Sequence, residues 1–132
     1  MFLPLSIDIE EPVIRRRRAV VVVYTILLLC TAVHLWLTFQ ATQVARTDAF
    51  YRWGAMRFRF RWWTPITCTF LHGGWGHLLG NMYFLWIYGR EVERRFGYVR
   101  FTAIYILGAV FSAAAQLLTL SPFSADVPMI GA

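Results

Sequence analysis

Residues 19–39 read AVVVVYTILLLCTAVHLWLTF, about 21 positions without a formal charge. At about 1.5 Å per residue a helix of that length crosses the roughly 30 Å hydrocarbon core of a bilayer. The rest of the composition agrees with a membrane chain. Of 132 residues, 58% are apolar and 15% charged, against about 25% charged in an ordinary soluble domain. Mean hydropathy is +0.52, and 17% of residues are aromatic, which excludes disordered and coiled-coil classes as well as a soluble globule. Cys30 and Cys68 are too few for a disulfide framework or a four-ligand zinc site. All 13 basic residues are arginine, and the net charge is +6.

Arg15, Arg16, Arg17 and Arg18 stand directly before the first apolar run. By the positive-inside rule they hold residues 1–18 in the cytoplasm as a short tail. The run is longer than a signal peptide's apolar core and no small-x-small cleavage site follows, so it reads as an uncleaved anchor. A second span is expected over residues 101–120, where Gly108 and Ser112, and Ala109 and Ala113, recur four apart as close helix packing requires. A third lies between these two, over residues 76–93. It is closed by Arg90, Glu91, Glu93, Arg94 and Arg95, which with Arg100 favour a cytoplasmic turn. Arg46, Arg52, Arg57, Arg59 and Arg61 oppose that count from the loop after the first span. In residues 57–63, RFRFRWW, charge and aromatic rings alternate as in a segment lying at the bilayer interface. A basic-aromatic strip for single-stranded nucleic acid is the rival reading, which the flanking spans disfavour.

The middle span carries the polar groups. His77 lies thirteen residues before Arg90, hence about 20 Å up the helix axis and about 10 Å inside the far surface. Asn81 follows four residues later on the same face. Polar side chains at such depth face a protein interior or a wet cavity and are functional candidates. Gly76 and Gly80 form a small-residue stripe beside them, suited to close packing. The full pattern is His72-x4-His77-x3-Asn81. It lacks the spacing and the additional ligand of a zinc site, and haem ligation by His34 and His77 has no other support in the chain. An imidazole and a carboxamide on one face can instead donate hydrogen bonds to an oxygen that turns negative during acyl transfer, each such donor lowering the barrier by about 3 kcal/mol. That chemistry also needs a nucleophile and a base, and neither is evident.

At these residues the chain resembles the N-terminal half of a rhomboid-family intramembrane serine protease. Residues 63–72, WTPITCTFLH, resemble the loop that leads into the family's His-x4-His-x3-Asn helix, and residues 92–97, VERRFG, resemble the turn that follows it. Gly131 and Ala132 resemble the start of the family's Gly-x-Ser-Gly motif. The resemblance implies an all-α membrane protein, the first three helices of a six-helix bundle with an amphipathic first loop, occupying residues 19–132. It further implies His77 and Asn81 as the oxyanion-stabilising pair and His72 as a polar neighbour organising the loop and its water. Glu93 would be a structural residue at the cytoplasmic turn, and Trp63 an interfacial anchor. Where the family often has Trp-Arg, Trp63 is followed by Thr64, which puts a loop contact in doubt and not the catalytic assignment.

The function expected from this is serine-type endopeptidase action on transmembrane segments of other proteins, with the nucleophile and its base outside these 132 residues and the 132-residue chain inert. The alternative is a proteolytically inactive rhomboid-like protein that binds membrane clients. Expected partners are substrate transmembrane segments and the lipid bilayer, the bacterial inner membrane being the expected host, with no nucleic acid, no cofactor and no metal.

Overall fold

The computed structural model describes residues 19–39, 41–57, 59–119 and 127–131. The basic tail over residues 1–18, Phe58, Leu120 and Ala132 lie outside the described residues. The described chain is helical: α1 (Val22–Phe39), α2 (Gln43–Trp53), α3 (Thr64–Thr67), α4 (Trp75–Phe84), α5 (Arg90–Phe96) and α6 (Tyr98–Thr119). A 3-10 turn, Cys68–Phe70, extends α3, and a π-helical turn, Leu85–Gly89, joins α4 to α5. Its one extended pairing among the described residues is an antiparallel bridge between Ala55 and Met129.

The expected spans fall on three rods. Of these residues, 22–39 form α1, 76–93 lie on the continuous rod α4–α5, and 101–119 lie on α6. Among the described residues, α1 and α6 are long and apolar enough to cross a membrane. The middle rod is different, because its uncharged part, residues 75–89, covers only about 22 Å before Arg90.

Helix α1 buries one stripe, Val23, Ile26, Cys30, His34 and Leu37, the i, i+3, i+7 spacing of a helix with a single packed face. Val23, Ile26 and Cys30 meet Leu78 of α4 and Phe101 of α6 in one core. A second cluster, Ala55, Cys68, Ala113 and Met129, holds the loop after α2 and the Met129 segment against the far end of α6.

Both ends of α1 are capped by distant side chains. Glu93 is fully buried. Its Oε1 accepts from the Val21 and Val22 amides at 2.8 and 2.9 Å, and its Oε2 from the Val23 amide at 2.9 Å. These are amides that a helix start leaves unpaired, and a carboxylate there also meets the positive end of the helix dipole. At the other end the Arg46 guanidinium donates to the Leu37 and Thr38 carbonyls at 2.9 and 3.1 Å. Helix α2 starts on its own cap, the Thr42 hydroxyl accepting from the Ala45 amide at 3.2 Å.

The glycine that permits close packing is Gly89. A Cβ there would stand 2.9 Å from Leu85 Cδ1 and 3.1 Å from Val23 Cγ2, whereas at Gly76, Gly80 and Gly108 it would meet nothing within 4 Å. Contact follows where α1 crosses, at the turn near Glu93, and no described element crosses α4 or α6 at those three positions. Of the stripe on α6, Ala113 is buried, while Gly108, Ala109 and Ser112 line an open cavity of about 250 Å³ beside Gly131.

Candidate active site

The pattern His72-x4-His77-x3-Asn81 folds at the junction of a loop and a helix. Pro65 stands in the first turn of the short helix α3, where its missing amide is of no consequence. The Thr67 hydroxyl then donates to the Trp53 carbonyl at 2.7 Å, tying this helix back to α2. After Phe70 the chain extends at Leu71, and Gly73 and Gly74 carry it into α4. His77 and Asn81 sit in the first two turns of α4, one above the other on a single face.

His72, in the loop before α4, is buried. Its Nε2 lies 3.3 Å from Asn81 Nδ2, and its ring stands edge-on to His77 at 5.3 Å between centroids. His34 reaches in from α1, its Nδ1 donating to the His72 carbonyl at 3.2 Å while its ring meets Trp75 edge-on at 4.7 Å. The loop, α1 and α4 are thus joined through polar groups within an otherwise apolar contact. Burial lowers the pKa of the His72 imidazole below its ordinary value of 6.5, and the neighbouring His77 and His34 push it the same way, so the ring is neutral at pH 7.

Gly131 closes the site. Its amide donates to the Cys68 carbonyl at 2.8 Å, and its φ of +86° suits glycine. A Cβ at this position would overlap the His77 imidazole, so the ring packs directly on the glycine backbone. The segment is held in register by the Ala55 and Met129 amides, which donate to each other's carbonyls at 3.1 and 2.8 Å. His77 is otherwise exposed and Asn81 half-buried. The face they share therefore opens beside Gly131 and not onto the packed core.

The remaining sequence candidates lie elsewhere. Glu93 is at the opposite end of the middle rod, about 24 Å from His77 along the axis, where it caps α1. Trp63 is half-buried, in edge-on contact with Trp62 at 5.5 Å and under the Arg61 guanidinium at 5.6 Å. Its Nε1 makes no hydrogen bond within the described residues. Ala132 is outside the described residues. His34 is the residue the motif did not reveal. The available signal was a lone imidazole on the apolar stripe of α1, in phase with Ile26 and Cys30.

Comparison with known proteins gives this geometry a family context. A family model, the Rhomboid domain, matches residues 59–132. RHOMBOID-like protein 5 of Arabidopsis thaliana is 37% identical over 57 residues, covering 43% of this chain and 18% of the relative. Rhomboid protease GluP of Bacillus subtilis is 37% identical over 62 residues, 47% of this chain and 12% of the relative. Rhomboid protease GlpG of Photorhabdus laumondii is 30% identical over 94 residues, 71% of this chain and 33% of the relative. The matched segments thus span a third or less of these relatives' length. Plant relatives stand beside bacterial ones, so the similarity does not select the bacterial inner membrane as host.

Proposed function

The chain belongs to the rhomboid family, and on that premise we propose that the protein it represents is an intramembrane serine endopeptidase cutting transmembrane segments of other membrane proteins. The observation that carries the reading is the shared open face of His77 and Asn81 beside Gly131. A carbonyl oxygen lying there meets an imidazole and a carboxamide one helical turn apart. Donors fixed in advance stabilise the negative charge that develops when a nucleophile attacks, by about 3 kcal/mol each.

The nucleophile in this reading is a serine following Gly131-Ala132, and a histidine on a later helix is its base, forming a dyad. Residues 1–132 contain no Gly-x-Ser-Gly motif. The positive φ of Gly131 and its seat on the His77 ring favour a backbone turn that brings the following residues over the oxyanion donors. The middle rod is proposed as a third span, short on the side of His77, so that water reaches the site from that surface. The N-terminus and the turn holding Arg90, Arg94, Arg95 and Arg100 are proposed to be cytoplasmic. Support comes from Glu93, whose carboxylate ties the start of α1 to the end of the middle rod at one level of the membrane. A substrate helix must open locally at the site, because a peptide bond held in helical hydrogen bonds is closed to attack.

The test is covalent labelling by a fluorophosphonate probe. The full-length protein carrying that serine is expected to label and to lose labelling on serine-to-alanine exchange, whereas residues 1–132 alone are expected to stay unlabelled. Robust labelling of residues 1–132, or a full-length sequence with no serine after Ala132, contradicts the proposal. The latter outcome makes the protein a binder of membrane clients.

A further inference from the structure

The contact between His72 and Asn81 fixes more than the shape of the loop. Asn81 Nδ2 carries two hydrogens and no free lone pair, so at 3.3 Å from it His72 Nε2 has to be the acceptor. The neutral ring then holds its proton on Nδ1. That nitrogen is buried and makes no hydrogen bond of ordinary geometry. The Phe70 carbonyl nevertheless lies near enough to favour a proton on the ring. The backbone of His72 is held in turn by His34, whose Nδ1 donates to its carbonyl. A relay therefore runs from α1 through the loop to the amide on α4.

Resting on the proteolytic reading of this site, we propose that His72 is a positioning residue. Its Nδ1–H imidazole takes one amide hydrogen of Asn81 and so aims the other at the substrate oxygen. The amide of an asparagine can turn by half a rotation, presenting either oxygen or nitrogen to the site. With Nε2 as a fixed acceptor, only the orientation that leaves N–H for the oxyanion is retained. Protonation of His72 at Nε2 makes that nitrogen a donor, which turns the Asn81 oxygen towards the ring. The titratable groups facing His72 are His34 of α1 and His77 of α4, and each disfavours a positive charge on it.

Two measurements test this. Nitrogen-15 spectra of histidine-labelled protein in bicelles at pH 7.5 are expected to show His72 as the Nδ1–H tautomer. The Nε2–H tautomer overturns the proposal. In the full-length protein, His72→Gln places an amide oxygen where Nε2 stood and is expected to keep kcat within about threefold. His72→Leu, of similar bulk but without an acceptor, is expected to lower kcat about tenfold or more with KM unchanged, a fraction of the loss on removing an oxyanion donor outright. Equal kcat in the Gln and Leu variants, whether both high or both low, overturns positioning through an acceptor. Absence of turnover in the wild-type full-length protein overturns the proteolytic reading itself, and the positioning role with it. The tautomer, read on the same residues without substrate, separates the two failures.

Discussion

At the scale of single residues, two side chains have consequences that a spectrum or a melting curve can read. Glu93 gives its carboxylate to three amides at the start of α1. Removing it strands buried donors, and hydrogen bonds to a charged group are worth about 1.5–3 kcal/mol each before losses overlap. Glu93→Ala is therefore expected to lower stability by about 3 kcal/mol, measured by unfolding in mild detergent, and a loss below about 1 kcal/mol contradicts the capping role. His72 sets a pH dependence. Its folded pKa lies below the unfolded value of 6.5. As pH falls past 6.5 the unfolded chain gains a proton that the folded protein resists, so stability drops, levelling off once His72 protonates in place. His72→Gln is expected to shrink that acid loss, in melting curves taken between about pH 7.5 and pH 5; an unchanged slope would mean that the ring titrates freely. The roles of these residues were unequally legible. Spacing alone put His77 and Asn81 on one face. The cap made by Glu93 and the reach of His34 depend on which helices cross, and nothing in a linear pattern encodes a contact 72 residues apart.

At the scale of elements, the sequence was most informative where periodicity and charge agree and least where packing decides. The apolar run over residues 19–39 made α1 legible, as did the second run for α6. A small residue permits approach without requiring it. Gly76, Gly80 and Gly108 have open space where a Cβ would go, while Gly89, which drew no notice in the sequence, sits under Val23 where α1 crosses the π-helical turn. Gly89→Val is expected to destabilise the fold by about 2 kcal/mol or more, through overpacking against α1. Gly80→Ala is expected to be neutral or stabilising by up to about 1 kcal/mol, since alanine removes backbone freedom at a helical position. Paired thermal melts decide, and a reversal of the two effects would mean that α1 crosses elsewhere. Arg46, one of the loop charges in the sequence, also closes the C-terminal carbonyls of α1 with its guanidinium.

At the scale of the whole molecule, α1, the middle rod and the start of α6 share one core of Val23, Ile26, Cys30, Leu78 and Phe101, and α6 packs Ala113 with Ala55, Cys68 and Met129 in a second cluster. The exposed His77 ring lies outside that core, against Gly131. Membrane character followed from composition, because 58% apolar residues with 15% charged cannot form an ordinary soluble surface, whereas the all-helical bundle was implied by the family resemblance. The closeness of Gly131 to His77 followed from neither, because it depends on a bridge between Ala55 and Met129, 74 residues apart. The central claim is that Asn81 donates to an oxygen that becomes charged only as the nucleophile attacks. Its most direct test is steady-state cleavage of a transmembrane reporter by the full-length protein carrying Asn81→Ala, with folding checked by melting temperature. The account predicts kcat lowered by about 10²–10³ with KM and melting temperature unchanged. Unchanged kcat in a folded Asn81→Ala variant would contradict it.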